Sequence, residues 1–137
     1  FSAGNTASQV FAWRGWRLGL LICYDVEFPE AVRGLALQGA DAVLVPTANM
    51  LEFDEVQRVL LPARALENRL FVAYANACGQ EGTTTYGGLS TACGPMGAVL
   101  AQAEREPHCL ITQWKLDALR SARATSPLPD RRTDLAA

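Results

Sequence analysis

Arg17-Leu18-Gly19-Leu20-Leu21-Ile22 is an apolar run that ends at a thiol, Cys23, and passes through Tyr24-Asp25-Val26-Glu27-Phe28 into Pro29-Glu30. Such a run, bounded by turn residues, reads as a buried strand. Pro29 suits the first position of a helix, where its missing N–H costs nothing. Val32, Leu35 and Ala36 then share one helical face, and Gly39 suits the C-terminal cap. Cys23 therefore occupies a strand-to-helix elbow at the carboxyl end of a strand, where open α/β sheets place their active sites. A sharp turn there lifts the side chain clear of the sheet, as it does for the nucleophile of serine hydrolases. The plainer alternative is a buried, inert cysteine, since free Cys is among the most buried residue types.

Upstream, Val10 to Trp13 and Arg17 to Ile22 flank Arg14-Gly15-Trp16 as a hairpin. Downstream, Asp41 to Pro46 and Leu70 to Ala77 read as further buried strands. Between them Glu55 to Asn68 reads as a helix with Val56, Val59, Leu60, Ala63 and Leu66 on one face, and Pro62 kinks or restarts it. Strand–helix–strand twice over predicts parallel pairing. After Gly79 the pattern changes to a Gly/Thr-rich loop over Gln80 to Gly88. Short strands follow over Leu89 to Cys93, Ala98 to Ala103 and Cys109 to Trp114, with a Gly94-Pro95-Met96-Gly97 turn. An antiparallel meander finishing the sheet is expected there. Residues 114–137 form a polar, Pro-punctuated tail with a short helix near Leu116 to Arg123. The fold class is α/β, a mixed sheet with helices on one face.

The chain has 137 residues, half of them hydrophobic, enough for one core. A net charge of -2 with scattered signs argues against nucleic acid or an anionic membrane as partner. No apolar run approaches the roughly 20 residues of a membrane span. Cys23, Cys78, Cys93 and Cys109 form no CxxC pair, so neither a metal site nor a disulfide framework is indicated and a cytoplasmic location is expected.

Gly19 to Glu30 resembles the nucleophile motif of the nitrilase superfamily of carbon–nitrogen hydrolases, in a form closer to its amidase branches than to true nitrilases. The likeness continues through Gly39 to Asn49, Arg64-Ala65-Leu66-Glu67-Asn68-Arg69, Tyr74-Ala75-Asn76, Gly88-Leu89-Ser90 and Gly94 to Gly97. It implies one half of an αββα sandwich, the C-terminal part (1–137) of a domain about twice this size. One face of its sheet is then a cut core, to be covered by the missing half or by another chain. It further implies a small-molecule amide substrate, no cofactor, and a homo-oligomer in the full-length protein.

Members of the family use a Glu base, a Lys and a Cys. The resemblance makes Cys23 the nucleophile and the Tyr24 backbone N–H a donor to the oxyanion. Residues 1–22 contain neither Glu nor Lys, and the only lysine, Lys115, lies in the tail, where a solvated role is expected. The only histidine, His108, and Ser90 make weak alternative nucleophile schemes. Glu27 stands where related carbamoyl-amino-acid hydrolases carry an Arg that grips a carboxylate, so a neutral or amine-bearing amide is favoured. A role in bracing the elbow is the alternative. Thr47, Ala48 and Asn49 follow a strand end and are expected beside Cys23, with Asn49 offering a donor and an acceptor. Arg33 and Arg64 are expected in ion pairs with Glu30 or Glu67. The leading expectation is hydrolysis of a small carboxamide through a cysteine thioester, with nitriles and carbamoyl amides as variants. A non-catalytic truncated homologue acting as an interaction module is the competing expectation.

Overall fold

The computed structural model describes residues 8–134. Strands β1 (Val10–Trp13) and β2 (Trp16–Leu20) form the expected hairpin. Its turn, Arg14-Gly15, takes positive φ at both residues (48° and 82°), the geometry that matches the twist of a two-residue hairpin. Helix α1 (Pro29–Leu37), strand β3 (Ala42–Thr47), helix α2 (Leu61–Asn68) and strand β4 (Phe71–Asn76) follow. β2, β3 and β4 pair in parallel. After β4 come β5 (Cys78–Glu81), β6 (Thr84–Gly87), β7 (Thr91–Cys93), β8 (Val99–Gln102) and helix α3 (Leu116–Ala124). β7 pairs antiparallel with both β4 and β8, giving a mixed six-stranded sheet in the order β1-β2-β3-β4-β7-β8.

Alternation along the strands gives the sheet two different faces. On one, Val43, Val45, Val72, Tyr74 and Cys93 meet Val32 and Leu35 of α1 and Leu61 and Ala65 of α2. α1 lies close because residue 19 is glycine: a Cβ there would come within 2.6 Å of Leu35 Cδ1. On the other, Leu18, Ala42 and Phe71 pack with Leu119 of α3. Trp114 stacks on Phe71, ring centroids 5.0 Å apart and 13° from parallel. Arg123 fastens α3 by donating to Asp41 Oδ1 (2.9 Å) and to the Ala40 carbonyl (2.6 Å). The expected cut core is thus covered at one end by the segment read as a polar tail, and one helix lies on the face expected to carry none. Toward the carboxyl ends of the strands that face stays open, with Leu20, Pro46 and Ala75 exposed.

Three local expectations fail. Val59 and Leu66 are not core residues; they are 60% and 44% exposed, whereas Gln57, Leu61, Arg64 and Asn68 are buried. The backbone over Val56–Leu60 widens into a π turn just before Pro62, with Leu61 N–H donating to the Val56 carbonyl. That extra residue in the turn rotates every later side chain away from the simple 3.6 periodicity. Gln80 to Gly88 is not a loop, because β5 and β6 form a hairpin turned at Gly82, φ 59°. The Thr-rich run has the strand propensity for it. Cys109 to Trp114 forms no strand. That segment leaves β8 and crosses to the far face to bring Trp114 onto Phe71.

Candidate active site

Cys23 opens a 3-10 turn, Cys23–Glu27, directly beyond β2. It is half-buried with φ 52°, a left-handed conformation that costs a non-glycine residue energy and persists only when its surroundings impose it. Three sources of restraint are visible. Asp25 closes the turn locally: its Oδ2 accepts from Ile22 N–H (3.0 Å) and its own N–H donates to the Ile22 carbonyl (3.1 Å). Val26 plugs the turn into the core with no exposed surface. Arg64 of α2, only 8% exposed, donates from Nε to the Val26 carbonyl (3.1 Å) and from Nη2 to the Glu27 carbonyl (2.6 Å). Its Nη1 bonds Glu67 Oε1 at 3.3 Å, so the expected ion pair exists, but as the third of its contacts. Arg33 also faces Glu67, donating to its carbonyl at 3.0 Å.

Tyr24 projects outward, its ring edge-on to Phe28 at 4.9 Å. Its N–H lies in the first turn, where amides have no acceptor within the helix. Glu27 is half-buried. Its carboxyl is pushed above its ordinary value by burial and by the neighbouring Glu55 carboxylate, with Arg64 opposing.

Thr47 ends β3, Ala48 is exposed, and Asn49 is buried. The loop is held by amides: Asn49 N–H donates to Asn76 Oδ1 (2.7 Å), and Asn76 Nδ2 donates to the carbonyls of Asn49 (3.2 Å) and Gly88 (2.8 Å). Asn49 Nδ2 is committed to the Phe53 carbonyl at 3.2 Å, so the side chain expected to offer both a donor and an acceptor spends its donor on the loop. Farther along, Asp54 takes a two-pronged ion pair from Arg105 (3.1 and 2.6 Å), which also donates to the Gly87 carbonyl.

Tyr74 on β4, which opens the Tyr74-Ala75-Asn76 stretch of the resemblance and carries no assigned role there, is buried on the helix-covered face. Burial raises its phenol above the usual range, charge on Cys23 and Glu27 adds to that, and Thr47 and Asn49 act in the opposite sense. Beside that match, its signal in the sequence is a hydroxyl within the apolar run Phe71 to Ala75, a group that needs a polar surrounding. The alternative nucleophile schemes gain nothing. Ser90 Oγ is engaged with the Asn76 backbone (2.9 and 3.3 Å), and His108 follows β8, the sheet edge four strands from β2. Lys115 precedes α3 as an exposed residue.

The elbow thus carries a thiol on strained backbone beyond the carboxyl end of a parallel strand of an α/β domain, backed by a buried brace. The chain belongs to the carbon–nitrogen hydrolase family, whose model matches residues 1–124. It is 45% identical over 136 residues to a protein of Pseudomonas protegens described as a hydrolase in the pqqF 5' region, and 43% identical over 135 residues to an (R)-stereoselective amidase of a Pseudomonas species. These alignments cover 98% and 96% of this chain and 48% of each relative. The crystal structure of an amidase from Nesterenkonia sp. superposes with a TM-score of 0.88 at 43% identity, over 98% of this chain and 48% of that one. A variant of that amidase carries the acetamide moiety of fluoroacetamide covalently at its active-site cysteine. The chain thus has the nitrilase-type α/β fold and spans about half the length of the relatives it matches. Among the described residues, no helix is long and apolar enough to cross a membrane.

Proposed function

We propose that this chain carries the nucleophile of an amidase that hydrolyses a small carboxamide to a carboxylic acid and ammonia. The observation that supports it most is the Cys23 elbow, strained at φ 52° and braced by Arg64. The Cys23 thiolate adds to the amide carbonyl carbon, and the oxyanion that forms accepts from the Tyr24 N–H. Collapse of that intermediate breaks the C–N bond; the nitrogen takes a proton and leaves as ammonia. Water then attacks the thioester, releasing the acid and restoring the thiol. Residues 1–22 hold no Glu or Lys. In this reading the base and the lysine come from the part of the enzyme that this chain does not span. Glu27, as a carboxylate, favours neutral or amine-bearing amides over carboxylates. The free cysteines fit a reducing, cytoplasmic setting.

The open sheet face around Leu20, Pro46 and Ala75 favours a second reading, an interaction module without catalysis. One experiment divides the two. In the complete enzyme, Cys23→Ala should reduce amide turnover at least ~10³-fold, and fluoroacetamide should label the wild type, but not the variant, at residue 23. Turnover that survives Cys23→Ala would sink the amidase mechanism, and a wild type inactive on every amide tested would favour the module.

A further inference from the structure

An open cavity of about 390 Å³ lies where the ends of α1 and α2 meet the end of α3 and the turn that follows it. Helices α1 and α2 lead into β3 and β4, so the cavity sits at the amino ends of these parallel strands, whereas Cys23 stands beyond a carboxyl end. Asn68, Arg69, Arg123, Ser126 and Arg131 supply the polar part of its lining, which includes no acidic side chain. Arg123 has a carboxylate partner, Asp41 at 2.9 Å. Arg69 and Arg131 make no ion pair among the described residues. Arg69 Nη1 donates to Met96 Sδ at 3.3 Å, a weak acceptor, and Arg131 Nη1 to the Leu128 carbonyl at 3.3 Å. Arg69 Nε and Asn68 Oδ1 are buried and complete no hydrogen bond. Buried polar groups are rarely left so without a water or a ligand to satisfy them.

The helix dipole favours cations at helix C-termini, and that is the plainer reading of any one of these arginines. It does not call for three around one hollow, two of them without a carboxylate, since like charges held together repel. We propose that the cavity is an anion site for a phosphate group, either free phosphate or the phosphate of a small monoester. Three guanidiniums match a group with about two negative charges and three terminal oxygens, which forks of N–H donors bind in pairs. A carboxylate, with one charge and two oxygens, leaves part of that donor set unused. Ser126 Oγ accepts from Leu128 N–H at 3.2 Å, which leaves its own O–H to donate as well. Leu37 on the same lining offers an apolar wall to the body of a monoester. The site stands whether or not Cys23 is a nucleophile.

The test uses the complete enzyme, with inorganic phosphate and phenyl phosphate as probes and benzoate as the carboxylate comparison, all at equal ionic strength. Isothermal titration calorimetry should show saturable binding of both phosphates and binding of benzoate weaker by about tenfold or more. At about ten times its Kd, the tighter phosphate should raise Tm by roughly 3–6 °C. Tighter binding of phenyl phosphate identifies a monoester as the ligand, and equal binding identifies phosphate itself; both support the site. Arg131→Gln, at an exposed position outside the core, should weaken phosphate binding about tenfold. Arg69→Lys keeps the charge but loses the fork and should weaken it several-fold. No saturable binding, benzoate bound as tightly as the phosphates, or an affinity unchanged in both variants would overturn the inference. Because binding is read without turnover, each of these outcomes is independent of Cys23→Ala, whose failure would overturn the amidase reading instead.

Discussion

The elbow after β2 and the loop after β3 both leave the carboxyl ends of parallel strands, yet they are held in different ways. The elbow places a strained backbone at Cys23 and fixes it with charge. A carboxylate closes the turn from within, and a guanidinium from α2 holds two of its carbonyls from outside. The loop after β3 carries no positive φ from Ala48 to Asp54 and is fixed mostly by neutral amides, with Asp54–Arg105 clamping its far end. Cys23 thus stands on the more heavily restrained support, as the proposed mechanism requires of its reacting atom, because small displacements there cost large factors in rate. The pocket wall opposite can tolerate a looser arrangement.

Arg64→Met should break this contrast most severely. It keeps much of the side-chain length but leaves two elbow carbonyls without their donor, in a site where an unpaired buried group costs about 1–3 kcal/mol. In the complete enzyme kcat should fall roughly 100-fold with a much smaller change in KM, because the nucleophile, not the substrate wall, is displaced. Kinetics on any accepted amide checks this, and a variant with unchanged kcat would show that the elbow holds itself.

Glu27, the residue proposed to meet the substrate, sharpens the comparison next. A close charge pair is worth on the order of 1–3 kcal/mol, or roughly ten- to a hundredfold in selectivity. Glu27→Arg should therefore turn the preference toward carboxylate-bearing amides, and Glu27→Gln should narrow it. The measurement is the ratio of kcat/KM for a neutral amide and its carboxylate analogue. Equal losses on both substrates would make Glu27 a brace of the elbow, like Asp25.

The smallest effect belongs to the loop. The Arg105 guanidinium holds the Asp54 carboxyl below its ordinary value, against the opposing effect of burial. A depressed carboxylate stabilises the fold at pH values above its unfolded value of 3.8, and that contribution is lost as pH falls through the lower folded value. Asp54→Asn should then lower Tm by about 2–4 °C at neutral pH, with the difference fading below about pH 4. Thermal melts across that range test it; a deficit that persists in acid would mean the clamp acts through shape rather than charge.

Much of the elbow was legible because its signals are neighbours in the chain. An apolar run, a thiol and a proline at the first helical position are read within about a dozen residues. The same holds for the parallel core, whose uninterrupted apolar strands allow few other arrangements. The buried face of α2 was misread, since a π turn before Pro62 leaves no periodic trace. The strand expected over Cys109 to Trp114 failed for a related reason: its residues suit a strand, but Trp114 gains more by stacking on Phe71.

Residue types and spacing alone determined that Cys23 follows a strand and precedes a helix, and that the early sheet is parallel. Only the tertiary structure decided that Arg64, whose Nε bonds a carbonyl 38 residues earlier, would hold that thiol's turn. It also decided that Tyr74 would share a core cluster with Leu21 and Val26, and that α3 would close one end of the second sheet face. Propensity and capping act between residues close in the chain. Which distant groups meet depends on how all the elements pack at once, and no single stretch of sequence carries that.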